Sequence, residues 1–156
     1  MSFPSAEPKR LQIIERVVEV LKAMRQGDGY WYTAAEVVKL VLHEREILAF
    51  PFYMVWYESN PGPPKSDMNH RFSEDMAINV TGACDTEAGD VTTKLERCVR
   101  DIRTAIKADE ANTAAGSLGA LGVIVKVDSL EFDHNEKFGG FHQRFLAQIR
   151  GDWRSL

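Results

Sequence analysis

From Val91 to Ile106 the apolar residues fall at positions 91, 95, 98, 99, 102, 105 and 106, and charged residues fill the places between. That spacing marks one face of a helix. Asp90 stands just before it, where a short carboxylate accepts from the free amides of a first turn. A second helical stripe runs from Lys9 to Arg25 through Leu11, Ile14, Val17, Val18, Leu21 and Met24, widened by Ile13 and Val20. Pro8 suits the start of this helix, and Gly27-Asp28-Gly29 supplies its stop. Residues 1–8, with two prolines and little apolar content, are expected to form an arm.

Elsewhere the period drops to two. Met76, Ile78 and Val80 alternate with Ala77, Asn79 and Thr81, which predicts a strand within Arg71–Gly82 with one apolar face. The run Phe50-Pro51-Phe52-Tyr53-Met54-Val55-Trp56-Tyr57 reads as another strand, with Pro51 at its first position. Asn60-Pro61-Gly62-Pro63-Pro64 breaks the pattern between the two, so the pair forms a long hairpin with an extended tip. A strand over 120–133 is carried by Leu121, Val123, Val125 and Val127, and Leu130 and Phe132 continue it. The last strand runs from Phe138 to about Arg150, with Phe141, Phe145, Ala147 and Ile149 on one face. Ala108–Ser117 is small and polar and reads as a loop. Residues 33–46 fit both periods; their valine content favours a strand, and a helix stays compatible.

The order is helix, three strands, helix, two strands. It predicts an α+β domain over 9–156: a mainly antiparallel sheet, a long β-hairpin, and two principal helices packed on one face. A chain of 156 residues with 44% hydrophobic residues is large enough for one core of its own. A net charge of -4 argues against a nucleic-acid surface covering the whole molecule. The only cysteines, Cys84 and Cys98, read as reduced core residues. The first residues lack the charged start and apolar run of a signal peptide, and no apolar run reaches membrane length. Synthesis in the cytoplasm is the expectation.

Candidate chemistry is sparse. His43, His70, His134 and His142 form no metal-ligand spacing on a helix. Gly116-Ser117-Leu118-Gly119-Ala120-Leu121-Gly122 follows a helix and precedes a strand, the reverse of a phosphate-binding loop. Cys98 has no nearby histidine to activate it. No catalytic, cofactor-binding or metal set emerges, so an enzyme is not expected. What stands out is surface. Tyr30-Trp31-Tyr32 cannot all enter one core, and aromatic residues are enriched at protein contacts. The proline-rich tip and Trp153 near the end add to it. Lys94, Arg97, Arg100, Arg103 and Lys107 make a basic ladder on the 91–106 helix, diluted by Glu96 and Asp101.

Together these segments resemble the tail terminator and tail-completion (minor tail) proteins of long-tailed bacteriophages. The resemblance is carried by the opening helix Leu11–Met24, the valine-rich segment 34–42 and the proline-led strand Phe50–Val55. It continues through Ile78-Asn79-Val80-Thr81-Gly82, the helix with Leu95 and Val99-Arg100-Asp101-Ile102-Arg103-Thr104-Ala105-Ile106, and the final strand Phe141–Arg150. It implies that segment 34–42 is a strand. It also implies a structural role in the virion: a homo-oligomeric ring, a hexamer, that ends the tail tube and joins it to the head-side connector. DNA would pass through the lumen without specific binding, and no membrane is involved. The chain departs from the family in an acid near the end of the last strand, Asp152, and in the weight of aromatics at 50–57. The alternatives are a head-completion or neck protein of the same assembly, or, from another class, a small-molecule-binding α+β enzyme domain. The interface positions expected on the ring reading are Tyr30, Trp31, Tyr32, Asn60, Pro61, Pro63, Pro64, Arg100, Arg103 and Trp153.

Overall fold

A computed structural model describes residues 8–39, 49–58, 65–66, 71–85, 90–134 and 138–152. Helix α1 (Lys9–Lys22) is followed by strands β1 (Glu36–Lys39), β2 (Phe52–Glu58), β3 (Lys65–Ser66) and β4 (Arg71–Asp85). Helix α2 (Val91–Glu110) then leads to β5 (Val123–His134) and β6 (Phe138–Asp152). The sheet has the order β1-β2-β4-β6-β5, and the short β3 pairs with β4. All pairings are antiparallel except β1 with β2. The fold is α+β, with the helices packed against a mainly antiparallel sheet.

The hairpin expectation holds in register: Val55 faces Val80 and Tyr53 faces Gly82. Gly82 is required there, because an added Cβ would lie 2.3 Å from the Phe141 ring. The valine-rich segment is a strand at Glu36–Lys39; residues 40–48 lie outside the described residues. So do Asn60, Pro61, Pro63, Pro64 and Trp153.

The end of α2 and the start of β5 differ from the sequence reading. Helix α2 runs to Glu110, so the loop begins a turn later than Ala108. Asp109 continues the stripe of Ile102, Ala105 and Ile106 and is buried with them, which is why the helix persists. Residues 120–122 are turn, and the strand begins at Val123. Leu121 and Gly122 instead close the turn through bonds to Ser117 and Gly119 carbonyls.

The core lies between the helices and the sheet. Ile13, Val17 and Leu21 of α1 and Leu95, Cys98, Val99, Ile102 and Ile106 of α2 meet Tyr53, Val55, Met76, Ile78, Val80, Phe141 and Phe145. Cys84 and Cys98 are free thiols in it. Burial lifts the Cys98 thiol to about 12, and a hydrogen bond with the Tyr53 hydroxyl only partly offsets this. Such a thiol is inert at neutral pH.

The alternation in β4 predicts one apolar face. Both faces are covered. Ala77, Asn79 and Ala83, on the side away from the helices, are as buried as Met76, Ile78 and Val80. β4 is central, so long side chains from β2 and β6 lie across it.

Candidate functional site

Two buried carboxylates on α2 organise the helix side. Asp109 accepts two bonds from the Arg16 guanidinium, at 2.9 and 2.6 Å, and one from the Leu118 amide at 2.9 Å. Burial alone would raise its pKa; Arg16 and the amide outweigh that and hold it below the usual aspartate range. It thereby ties α1 to α2 and closes the turn after α2. Asp101 accepts the Trp31 and Tyr32 amides at 2.9 and 3.0 Å. Here burial wins and the pKa is raised, despite those bonds and the nearby Arg100.

This explains the aromatic cluster. Asp101 pins the backbone of Trp31 and Tyr32 to α2, and Tyr30 and Tyr32 pack against the core. Trp31 stays 46% exposed, with the Arg97 guanidinium 4.2 Å above its ring. Asp101 is therefore turned inward and does not dilute the basic ladder, as the sequence suggested it would. An open groove of about 580 Å³ follows this side of α2, lined by Thr93, Glu96, Arg97, Val99, Arg100 and Arg103, among others.

The ladder is narrower than the sequence implied. Arg103 is held within the chain, donating to the Gln143 Oε1 at 2.9 and 2.6 Å. Gln143 is fully buried and spends its amide on the Ser129 and Arg144 carbonyls. Lys94 pairs with Asp85, and Lys107 with Glu110. Arg100 remains exposed. Of the expected interface set, the structure gathers Trp31, Tyr32, Arg100 and Arg103 at α2, with Tyr30 beside them.

The side of the sheet away from the helices carries a polar network. His142 stacks on Trp56 with ring centroids 5.5 Å apart, and its Nε2 lies 2.5 Å from Asn79 Oδ1. Asn79 donates to Glu58 at 3.4 Å. Arg144 reaches Glu58 at 3.3 Å and Asp128 at 2.6 Å. These groups satisfy one another and leave no aimed, unpaired polar atom. Among the described residues no group of three or more His, Cys, Asp or Glu could hold a metal ion.

The remaining feature is strand β5, one edge of the sheet. Ile124, Val127 and Phe132 stand 40–44% exposed along it. Asp128, Glu131 and Asp133 are exposed on the same strand. Pairing of Glu131 with His142 and of Asp133 with Gly140 sets the last two on the side away from the helices. The β5 edge is partly managed within the chain. At Val125 the amide donates to Glu110 at 2.8 Å, and the carbonyl accepts from Lys107 at 2.7 Å. Both groups of Val125 therefore point away from β6. Antiparallel alternation carries that orientation to Val127 and, past the bulge after it, to Leu130 and Phe132. No bond caps those positions among the described residues. The sequence reading missed this edge. The signal was Phe132 and the acids around it, but only the strand order shows that β5 is terminal. No protein family matches this chain, and no curated protein matches it in sequence.

Proposed function

We propose that the protein is a structural subunit of a long-tailed bacteriophage. It forms a closed ring on the head-proximal end of the tail tube, stops tube growth and joins the tube to the head-side connector, with DNA passing through the lumen. The phage assignment rests on the sequence resemblance. The observation that supports an assembly role is the β5 edge: a 12-residue strand with three half-exposed apolar side chains and outward backbone groups that, among the described residues, are uncapped beyond Val125. Long exposed edges of this kind are a hazard to a free monomer and a docking strip in an assembly. A contact between two different surfaces of one chain closes into a ring when its rotation closes.

Electron microscopy of the purified chain tests this reading. A six-fold ring of tail-tube diameter is expected. A twelve-fold ring would move the protein to the connector side of the same assembly, and a persistent monomer would overturn the ring.

A further inference from the structure

The exposed arginines of α2 and the acids of β5 are opposite in charge, and Glu131 and Asp133 lie on the side of the sheet away from the helices. The helix side offers Arg97 and Arg100, with Trp31 exposed beside them. The edge strand offers Glu131 and Asp133 on the side away from the helices and Val127 and Phe132 on the helix side, where they pair with Phe145 and Phe141; Asp128 is held by Arg144. The chain already shows how α2 serves this strand: Lys107 and Glu110 cap the outward groups of Val125. Past Val125 the same kind of outward group recurs, and α2 of the same chain supplies no further cap among the described residues.

We infer that the occupant of the β5 edge is the α2 groove of a second copy of this chain. Resting on the ring reading above, this names the contact that would close it. Arg100 of the neighbour reaches across the edge to Glu131 and Asp133, and Arg97, stacked on Trp31, donates to the outward carbonyls of Val127 and Leu130. Trp31 of the neighbour packs on Val127 and Phe132. A guanidinium serves both roles, because its fork of donors reaches carboxylate and carbonyl oxygens together. The surfaces differ, so the contact is head-to-tail and propagates from copy to copy. Arg103 is excluded from it, because Gln143 holds its guanidinium.

The test is charge exchange in the full chain, read by mass photometry across a dilution series. Arg100→Glu and Glu131→Arg both change exposed side chains, and circular dichroism checks that each variant stays folded. Each single variant is expected to raise the half-assembly concentration by at least about tenfold, because a close attraction becomes a repulsion. The double variant Arg100→Glu/Glu131→Arg is expected to return to within about threefold of the parent, a coupling that only paired charges produce. If the parent assembles and both single variants assemble equally well, the inference fails while the ring stands. If Phe132→Ser breaks assembly but the double variant is no better than the singles, β5 meets some element other than α2, and the inference again fails. A parent chain that stays monomeric overturns the ring and this contact together.

Discussion

The two sides of the sheet solve burial in different ways. On the helix side, apolar residues interdigitate with α1 and α2, and the polar exceptions face arginines: Glu74 lies against Arg10, and Gln143 accepts from Arg103. On the other side there is no helix among the described residues, and Trp56, Asn79, His142, Glu58 and Arg144 lie across the strands and contact each other. The first arrangement is stabilised mainly by area removed from water. The second shields a central strand with side chains that still touch solvent. The difference teaches that a buried residue such as Asn79 need not belong to the core that holds the fold.

Neighbouring residues on β6 give the sharpest way to break that comparison. Phe145→Ala, on the helix side, should cost about 3–5 kcal/mol through lost contact and a cavity. Leu146→Ala, one residue on and half-buried on the other side, should cost no more than about 1.5 kcal/mol. Urea denaturation of both variants reads the contrast. Equal losses would mean the open side is packed as tightly as the core.

Asp109→Asn comes next, at about 2–3 kcal/mol, since the bonds to Arg16 and Leu118 are charge-assisted. Its sign with pH follows from the lowered pKa. The unfolded carboxylate holds its proton more tightly than the folded one. The stability it contributes is thus full above the ordinary aspartate range and disappears as pH falls through the lowered folded value. Asp101 runs the other way: its raised pKa costs stability as pH rises from the ordinary range through the folded value. Unfolding midpoints across the acid range should therefore show Asp109→Asn converging on the parent in strong acid and falling behind it near neutral pH. A constant gap at all pH values would remove Asp109 from the titration.

Asn79→Ala should cost about 1–2 kcal/mol, because it removes the buried partner of the His142 ring nitrogen, while Glu58 keeps Arg144. Arg144→Ala should cost less than about 1 kcal/mol, since its ion pairs with Glu58 and Asp128 are partly solvated. Thermal melts resolve the first and bound the second. A larger loss at Arg144 than at Asn79 would show that the network is held from its rim.

Much of this architecture was legible in the chain. The stripe at 91–106, the alternation in β4 and β6 and the proline-bounded strand β2 each carry a period that one residue's slip would destroy. Asp109 was legible in principle, as an acid standing where the stripe requires an apolar residue; so was Gln143, which interrupts Phe141 and Phe145. The burial of Asn79 was not. It depends on which strands flank β4, and strand order is a property of space, not of spacing. The same holds for the β5 edge, whose exposed Phe132 looked like any other alternating aromatic. The bond from Arg103 to Gln143 was not legible either, because the two lie 40 positions apart.

Hydrogen exchange of the full chain, compared between dilute monomer and concentrated assembly, tests the central claim most directly. Amides of β4 and β6 should exchange slowly in both, since the fold itself protects them. The outward amides of Val127, Leu130 and Phe132 should exchange fast when dilute and become protected on assembly, together with slowed exchange at Trp31. Identical exchange along β5 at both concentrations, in a chain that does assemble, would contradict the account.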